Sequence, residues 1–217
     1  MKQLSIEHIL PELVGGIAGL IMWGRLAPAF RWLALYLFIT TGVIVLCFAW
    51  IDWYKTNFPP FHIYTNMCFL FYGMIFIKLQ HHNRYLKTWG TIMLLLLPLA
   101  IVYSLTNQQY MTFPSIHNNV RDVLAVISGM LLLPSLIDSD YNQSLWKNEL
   151  LWFVVAILIY HSTTFFIWSY ISTIRSMGIN DAPELSEISN VLGVLYYSML
   201  SVSMLLHISN QKKNVTS

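Results

Sequence analysis

The stretch "WLALYLFITTGVIVLCFAWI", residues 32–51, runs for 20 residues without one charged side chain. A helix of about 20 apolar residues is what crossing a bilayer requires. Its only strongly polar atoms are the hydroxyls of Tyr36, Thr40 and Thr41. A soluble domain offers no surface on which such a run could lie. The rest of the chain agrees. Of 217 residues, 56% are hydrophobic and only 10% charged. Soluble domains carry about 25% charged residues. Mean hydropathy is +0.57. The sequence reads as an integral membrane protein.

Working outward from that run, turn and breaker segments divide the chain into seven predicted spans. They cover residues 9–24, 32–51, 61–79, 88–106, 119–137, 148–173 and 185–208. In lipid the backbone must satisfy its own hydrogen bonds, so each is predicted to be a helix. The connecting segments are too short for a soluble domain, and the whole chain reads as one transmembrane helical domain. The start does not have the form of a cleaved signal peptide, because Glu7, His8 and Glu12 interrupt it. It is taken as a retained helix.

Lysine and arginine set the expected direction. One set of helix ends carries Arg25, Arg31, Lys78, Arg84, Lys87, Lys147, Lys212 and Lys213, the other Lys2, Lys55, Arg121 and Arg175. The richer set is assigned to the cytoplasm. The expectation is a multi-pass, seven-transmembrane-helix bundle with its N-terminus outside and its C-terminus cytoplasmic. Net charge is only +2, and no basic run provides a nucleic-acid surface. Cys47 and Cys68 fall inside apolar segments and read as packing residues.

On this topology the polar residues collect on one side. Glu7, His8 and Glu12 open helix 1, and Asp52 closes helix 2. His62 and Asn66 open helix 3, and Asn107 follows helix 4. His117, Asn118, Asn119, Arg121 and Asp122 lead into helix 5. His161 lies deep in helix 6, which Arg175 ends; Asp181, Glu184, Glu187 and Asn190 lead into helix 7. Ionisable residues inside spans are costly and turn toward the bundle interior or a watery cavity. The inner side shows basic loop residues, Asp138 and Asp140, and little polarity within the spans.

Helical spacing groups these residues into stripes. Helix 3 aligns His62, Asn66, Phe69 and Gly73; helix 6 aligns His161, Thr164, Trp168 and Ser172; helix 7 aligns Glu187, Asn190, Val194 and Tyr197. Arg121 and Asp122 are sequence neighbours that should point different ways. The reading therefore gives Asp122 to Asn118 or Arg175, and Arg121 to Glu187 or Asp52. Gly15 and Gly19 have the small-xxx-small spacing that lets helices approach closely.

Most specific chemistries find no motif. No HxxxH, HExxH or CxxC spacing marks a zinc site. This departs from the seven-helix ceramidase and adiponectin-receptor hydrolases, whose late-helix HxxxH is absent. His81 and His82 sit in a predicted cytoplasmic loop. Helix 7 has no lysine for a retinal Schiff base, and no glycine-rich phosphate loop is present. Pro98 and Pro134 could kink their helices, but no internal repeat supports a transporter.

Three stretches carry a resemblance: "FRWLALYLFITTGVIVLCFAW", "FPPFHIYTNMCFLFYGMIF" and "LLWFVVAILIYHSTTFFIWSY". Together they resemble a family of small multi-helix membrane proteins common in Bacteroidota. Such modules are also similar to the membrane input domains of bacterial sensor kinases. The resemblance implies a helical bundle and a sensory role. The sequence ends on "SNQKKNVTS" without a kinase, so a signal would pass to a membrane or cytoplasmic partner.

The expected function is binding or sensing of a small molecule or lipid by a pocket in the outer half of the bundle. Its expected lining is His62, Asn66, Asn118, Asp122, His161, Glu187 and Asn190, with aromatic walls from Tyr64, Trp168 and Tyr197. No cofactor is predicted. A metal-dependent lipid hydrolase is the alternative, its metal ion held by His62, Asp122 and His161. A structural subunit of a membrane complex is the second alternative.

Overall fold

The computed structural model describes residues 9–54, 58–79, 84–106, 115–137, 144–176 and 183–216. Glu7, His8, His81, His82, Asn107, Asp138, Asp140 and Asp181 lie outside the described residues, as do the side chains of Asp52, Ser172, Arg175 and Glu184. Seven α-helices follow one another: α1 Leu10–Ile21, α2 Pro28–Tyr54, α3 Phe58–Lys78, α4 Arg84–Thr106, α5 Ser115–Ile137, α6 Glu149–Ser176 and α7 Pro183–Thr216. Short 3-10 turns, Trp23–Arg25 and Leu145–Lys147, precede α2 and α6. No strand occurs among the described residues. Six of the helices, α2 to α7, are long and apolar enough to cross a membrane. α1 has 12 residues, about 18 Å at the helical rise per residue. That described part alone is shorter than the roughly 30 Å hydrocarbon core, and residues 1–8 before it lie outside the described ones.

Local sequence explains the helix starts. α2 and α7 begin on Pro28 and Pro183, and α3 has Pro59 and Pro60 in its first turn. Proline is suited to a first turn, where its missing N–H has no intrahelical partner to lose. The expected boundaries hold within a few residues except at the end of α7, which runs on to Thr216 instead of stopping near 208. Hydropathy marks where apolarity ends, whereas "NQKKN" contains residues that continue a helix readily.

The packing closes on itself. α2 lies on α3 and α3 on α4; α5 lies on α6 and α6 on α7; α1 packs against both α2 and α7. α4 meets α5 more lightly, and α5 also touches α3. Between helices in lipid, close packing and hydrogen bonds replace the hydrophobic drive. At Gly16 an added Cβ would stand 2.8 Å from the backbone nitrogen of Phe38, so α1 rests directly on the α2 backbone. At Gly73 it would stand 2.9 Å from the carbonyl of Gly90, which seats α3 against α4. The centre is filled by Leu33, Leu37, Phe69, Phe76, Phe153, Ile157 and Leu200, while Leu95, Leu99, Leu105 and Phe166 point outward.

The end of the bundle where α2 and α6 begin holds a polar clamp that the sequence reading did not anticipate. Glu149 opens α6, and its Oε1 accepts from His207 Nδ1 of α7 at 3.2 Å. Its Oε2 accepts from Asn210 Nδ2 at 2.7 Å, and its carbonyl accepts from the Ser203 hydroxyl at 2.8 Å. The other ring nitrogen, His207 Nε2, accepts the backbone N–H of Ala27 at 3.1 Å, just before α2. Phe30 stacks flat on the same imidazole at 3.8 Å. One histidine thereby ties the start of α2, the start of α6 and the body of α7.

Candidate functional site

Asp122 lies on the second turn of α5, fully buried, and four polar groups converge on it. Its Oδ1 accepts from His161 Nδ1 at 2.7 Å. The same oxygen accepts from Arg121 Nε at 2.8 Å and Nη2 at 2.7 Å. Its Oδ2 is 3.0 Å from the Thr164 hydroxyl, which also reaches the Tyr160 carbonyl at 2.8 Å. His161 and Thr164 share a face of α6, three residues apart. The expected split between Arg121 and Asp122 is therefore overturned: the neighbours pair with each other. The long arginine chain bends back along the helix, which a spacing rule based on Cβ directions does not capture.

The imidazole of His161 continues the network. With Nδ1–H donating to the carboxylate, Nε2 accepts. The Tyr72 hydroxyl of α3 meets Nε2 at 2.7 Å. Tyr72 also bonds the Tyr196 hydroxyl of α7. Tyr196 in turn reaches Tyr36 of α2 at 3.4 Å, and Tyr36 lies 3.8 Å from Cys68 Sγ. With neutral His161, every hydroxyl in this row can donate toward Asp122. With a proton added at Nε2, histidine becomes a donor and the row must run the other way. The arrangement can hold a proton and report it across α5, α6, α3, α7 and α2. Asp122, His161, Tyr72 and Tyr196 are all buried to within about a hundredth of complete burial.

A second group borders the first on α3 and α5. The Thr65 hydroxyl lies 2.9 Å from Asn118 Oδ1. Arg121 stands 5.9 Å over the Tyr64 ring, and the Tyr64 hydroxyl pairs with that of Tyr197 at 2.8 Å. His62 and His117 meet edge to face at 5.8 Å, with Tyr103 against His117 at 5.0 Å. Arg121 Nη1 and Asn118 Nδ2 of this group, and Asn66 Oδ1 of α3, are buried and have no partner among the described residues.

Comparison with protein-family models, curated proteins and solved structures found no match.

The predicted lining is thus partly assembled. Asp122 and His161 are bonded, and Asn118 sits one turn from Arg121 on the same helix. Tyr64 and Tyr197 form a hydroxyl pair rather than plain walls. Trp168 is half-buried, 6.1 Å from Phe61 edge to face. Glu187 and Asn190 are exposed and do not join the buried lining. Both lie in the first turns of α7, ahead of Tyr196, its first fully buried residue among those described. Correct periodicity gave them one face, but that face is not packed so early in the helix. His62 faces His117 rather than Asp122 and His161. Among the described residues no three His, Cys, Asp or Glu side chains gather to hold a metal ion.

Tyr36, Tyr72 and Tyr196 were not anticipated. Their signal was depth: membrane tyrosines favour the interfaces, and these three sit well inside apolar runs.

Proposed function

We propose that the chain is a membrane-embedded ligand-binding or sensory protein of a bacterial inner membrane, with seven spans, an outside N-terminus and a cytoplasmic C-terminus. The bias of lysine and arginine among helix ends supports that direction. One observation carries the reading. Two fully buried donors on one face of α5, Arg121 Nη1 and Asn118 Nδ2, lack a partner among the described residues. Buried polar groups without partners are costly, and this supports a small ligand whose acceptors meet the two donors. A carboxylic acid or primary amide has that complement.

The coupling follows from shared atoms. Arg121 also holds Asp122, through its other two nitrogens. A ligand acceptor drawing on the guanidinium weakens that hold and leaves more of the carboxylate to His161. The imidazole then gains a proton more readily, and the tyrosine row reverses as far as Tyr36 on α2. The signal would leave through a partner. The hydrolase alternative gains nothing from this geometry, since Asp122 is committed to Arg121, His161 and Thr164.

The test uses detergent-purified full chain and a panel of small carboxylic acids and primary amides. At least one compound should raise the unfolding temperature, and Asn118→Leu should abolish that rise while still giving a cooperative transition without compound. A panel that shifts nothing, or a shift that survives Asn118→Leu, counts against the pocket. Stoichiometric metal in the purified protein would instead favour the hydrolase.

A further inference from the structure

Glu12 stands in the first turn of α1 and is fully buried. Neither of its carboxyl oxygens has a hydrogen-bond donor among the described residues. The groups around it are already spent. Thr41 of α2 faces the carboxyl, and its hydroxyl is already engaged by the Leu37 carbonyl at 2.9 Å. Ser201 of α7 meets α1 at Pro11 and Gly15, on either side of Glu12, and donates to the Pro11 carbonyl. Tyr197, the titratable group facing Glu12 from α7, is paired with Tyr64.

A carboxylate here would have lost its water without gaining a donor or a cation. The N-terminus of α1 favours negative charge, but that attraction is small beside the loss of hydration. The neutral acid fits the surroundings, because its O–H supplies the donor that the Thr41 oxygen can accept. We propose that Glu12 is an intramembrane proton-binding site, its bound proton directed at Thr41 Oγ1 and enclosed by α1, α2 and α7. The ligand is a proton and not a metal cation, since hard cations gather about six oxygens or more and this place offers one carboxyl and one free hydroxyl oxygen. Access runs through α1 itself. That helix is short and sits on α2 and α7 through glycines, so its displacement brings the carboxyl to water. Docking of α1 and retention of the proton are one event. Glu12 and Thr41 are no part of the Arg121 and Asn118 group, which this site meets only through Tyr197, and the proposal does not depend on that group.

Infrared spectroscopy of the full chain in lipid vesicles reads the proton directly, because a carboxylic acid has a carbonyl stretch that a carboxylate lacks. At neutral pH an acid band is expected that shifts when glutamate is carboxyl-labelled with carbon-13. It should vanish in Glu12→Gln and persist in Glu149→Gln. Gly16→Val, which pushes α1 from α2, should weaken the band at mildly alkaline pH. Loss of carboxylate bands in Glu12→Gln, with no acid band lost, overturns the proposal. So does an acid band abolished by sodium at constant pH, which would make the site a sodium site. Isotope labelling needs no variant: absence of any label-sensitive acid band refutes the proposal even where Glu12→Gln fails to fold.

Discussion

Asp122→Ala is the substitution whose cost the structure defines best. It removes the only carboxylate bonded to Arg121, a guanidinium left 1% exposed. Breaking a buried ion pair by deleting one partner costs about 3–5 kcal/mol, because the other charge stays behind uncompensated. His161 Nδ1 and the Thr164 hydroxyl lose an acceptor as well. Side-chain hydrogen bonds between membrane helices average roughly 0.6 kcal/mol each. The sum is about 4–6 kcal/mol, a large share of the roughly 5–15 kcal/mol that holds a typical domain folded. Removing both charges together, as Arg121→Met with Asp122→Leu, should recover about 2–3 kcal/mol, since replacing a whole buried pair is often neutral. Unfolding of the wild type, Arg121→Met, Asp122→Leu and the double variant in mixed micelles, titrated with denaturing detergent, gives the four corners of the cycle, and the same titration reads Asp122→Ala. An Asp122→Ala cost under about 1 kcal/mol would refute the reasoning. So would a double variant as unstable as the sum of its singles, which would mean that the two charges do not support each other.

Two further outcomes are expected from the same assay. Gly90→Val should destabilise by about 1–3 kcal/mol, since its Cβ would stand 2.7 Å from the Ile77 side chain and 2.9 Å from its backbone nitrogen, whereas Gly42→Ala, with nothing within 4 Å, should change little. His207→Phe keeps a ring against Phe30 but strands the Ala27 N–H and Glu149; a loss of about 1–3 kcal/mol is expected, and an unchanged midpoint would deny His207 its tying role.

The helices were legible because lipid leaves the backbone one economical choice. Runs such as residues 32–51 declare it by apolarity alone. The candidate site was legible where depth and chemistry coincided. His161 lies in the middle of α6 and Asp122 on the facing side of α5, and both had to find partners. Direction was harder. Glu187 and Asn190 have the right spacing, yet spacing says nothing about where along a helix packing begins. Arg121 was misdirected because long side chains do not follow their Cβ. The tyrosine row was hidden by residue type, since a tyrosine counts as aromatic bulk until its hydroxyl is shown to be buried. The Glu149 and His207 clamp was missed for a related reason. Two single polar residues at separate helix ends carry no mutual signal until the fold joins them.

The position of α1 between α2 and α7 also orders events in time. α1 is made before α7, and its described part is shorter than the hydrocarbon core. Until α7 leaves the ribosome, Glu12 lacks half of its enclosure and the groove that takes Gly15 and Gly19 is open on one side. The packing of α1 is therefore complete only after α7 has been made. A chain stalled before α7 would present that acidic residue to whatever machinery inspects unfinished membrane proteins.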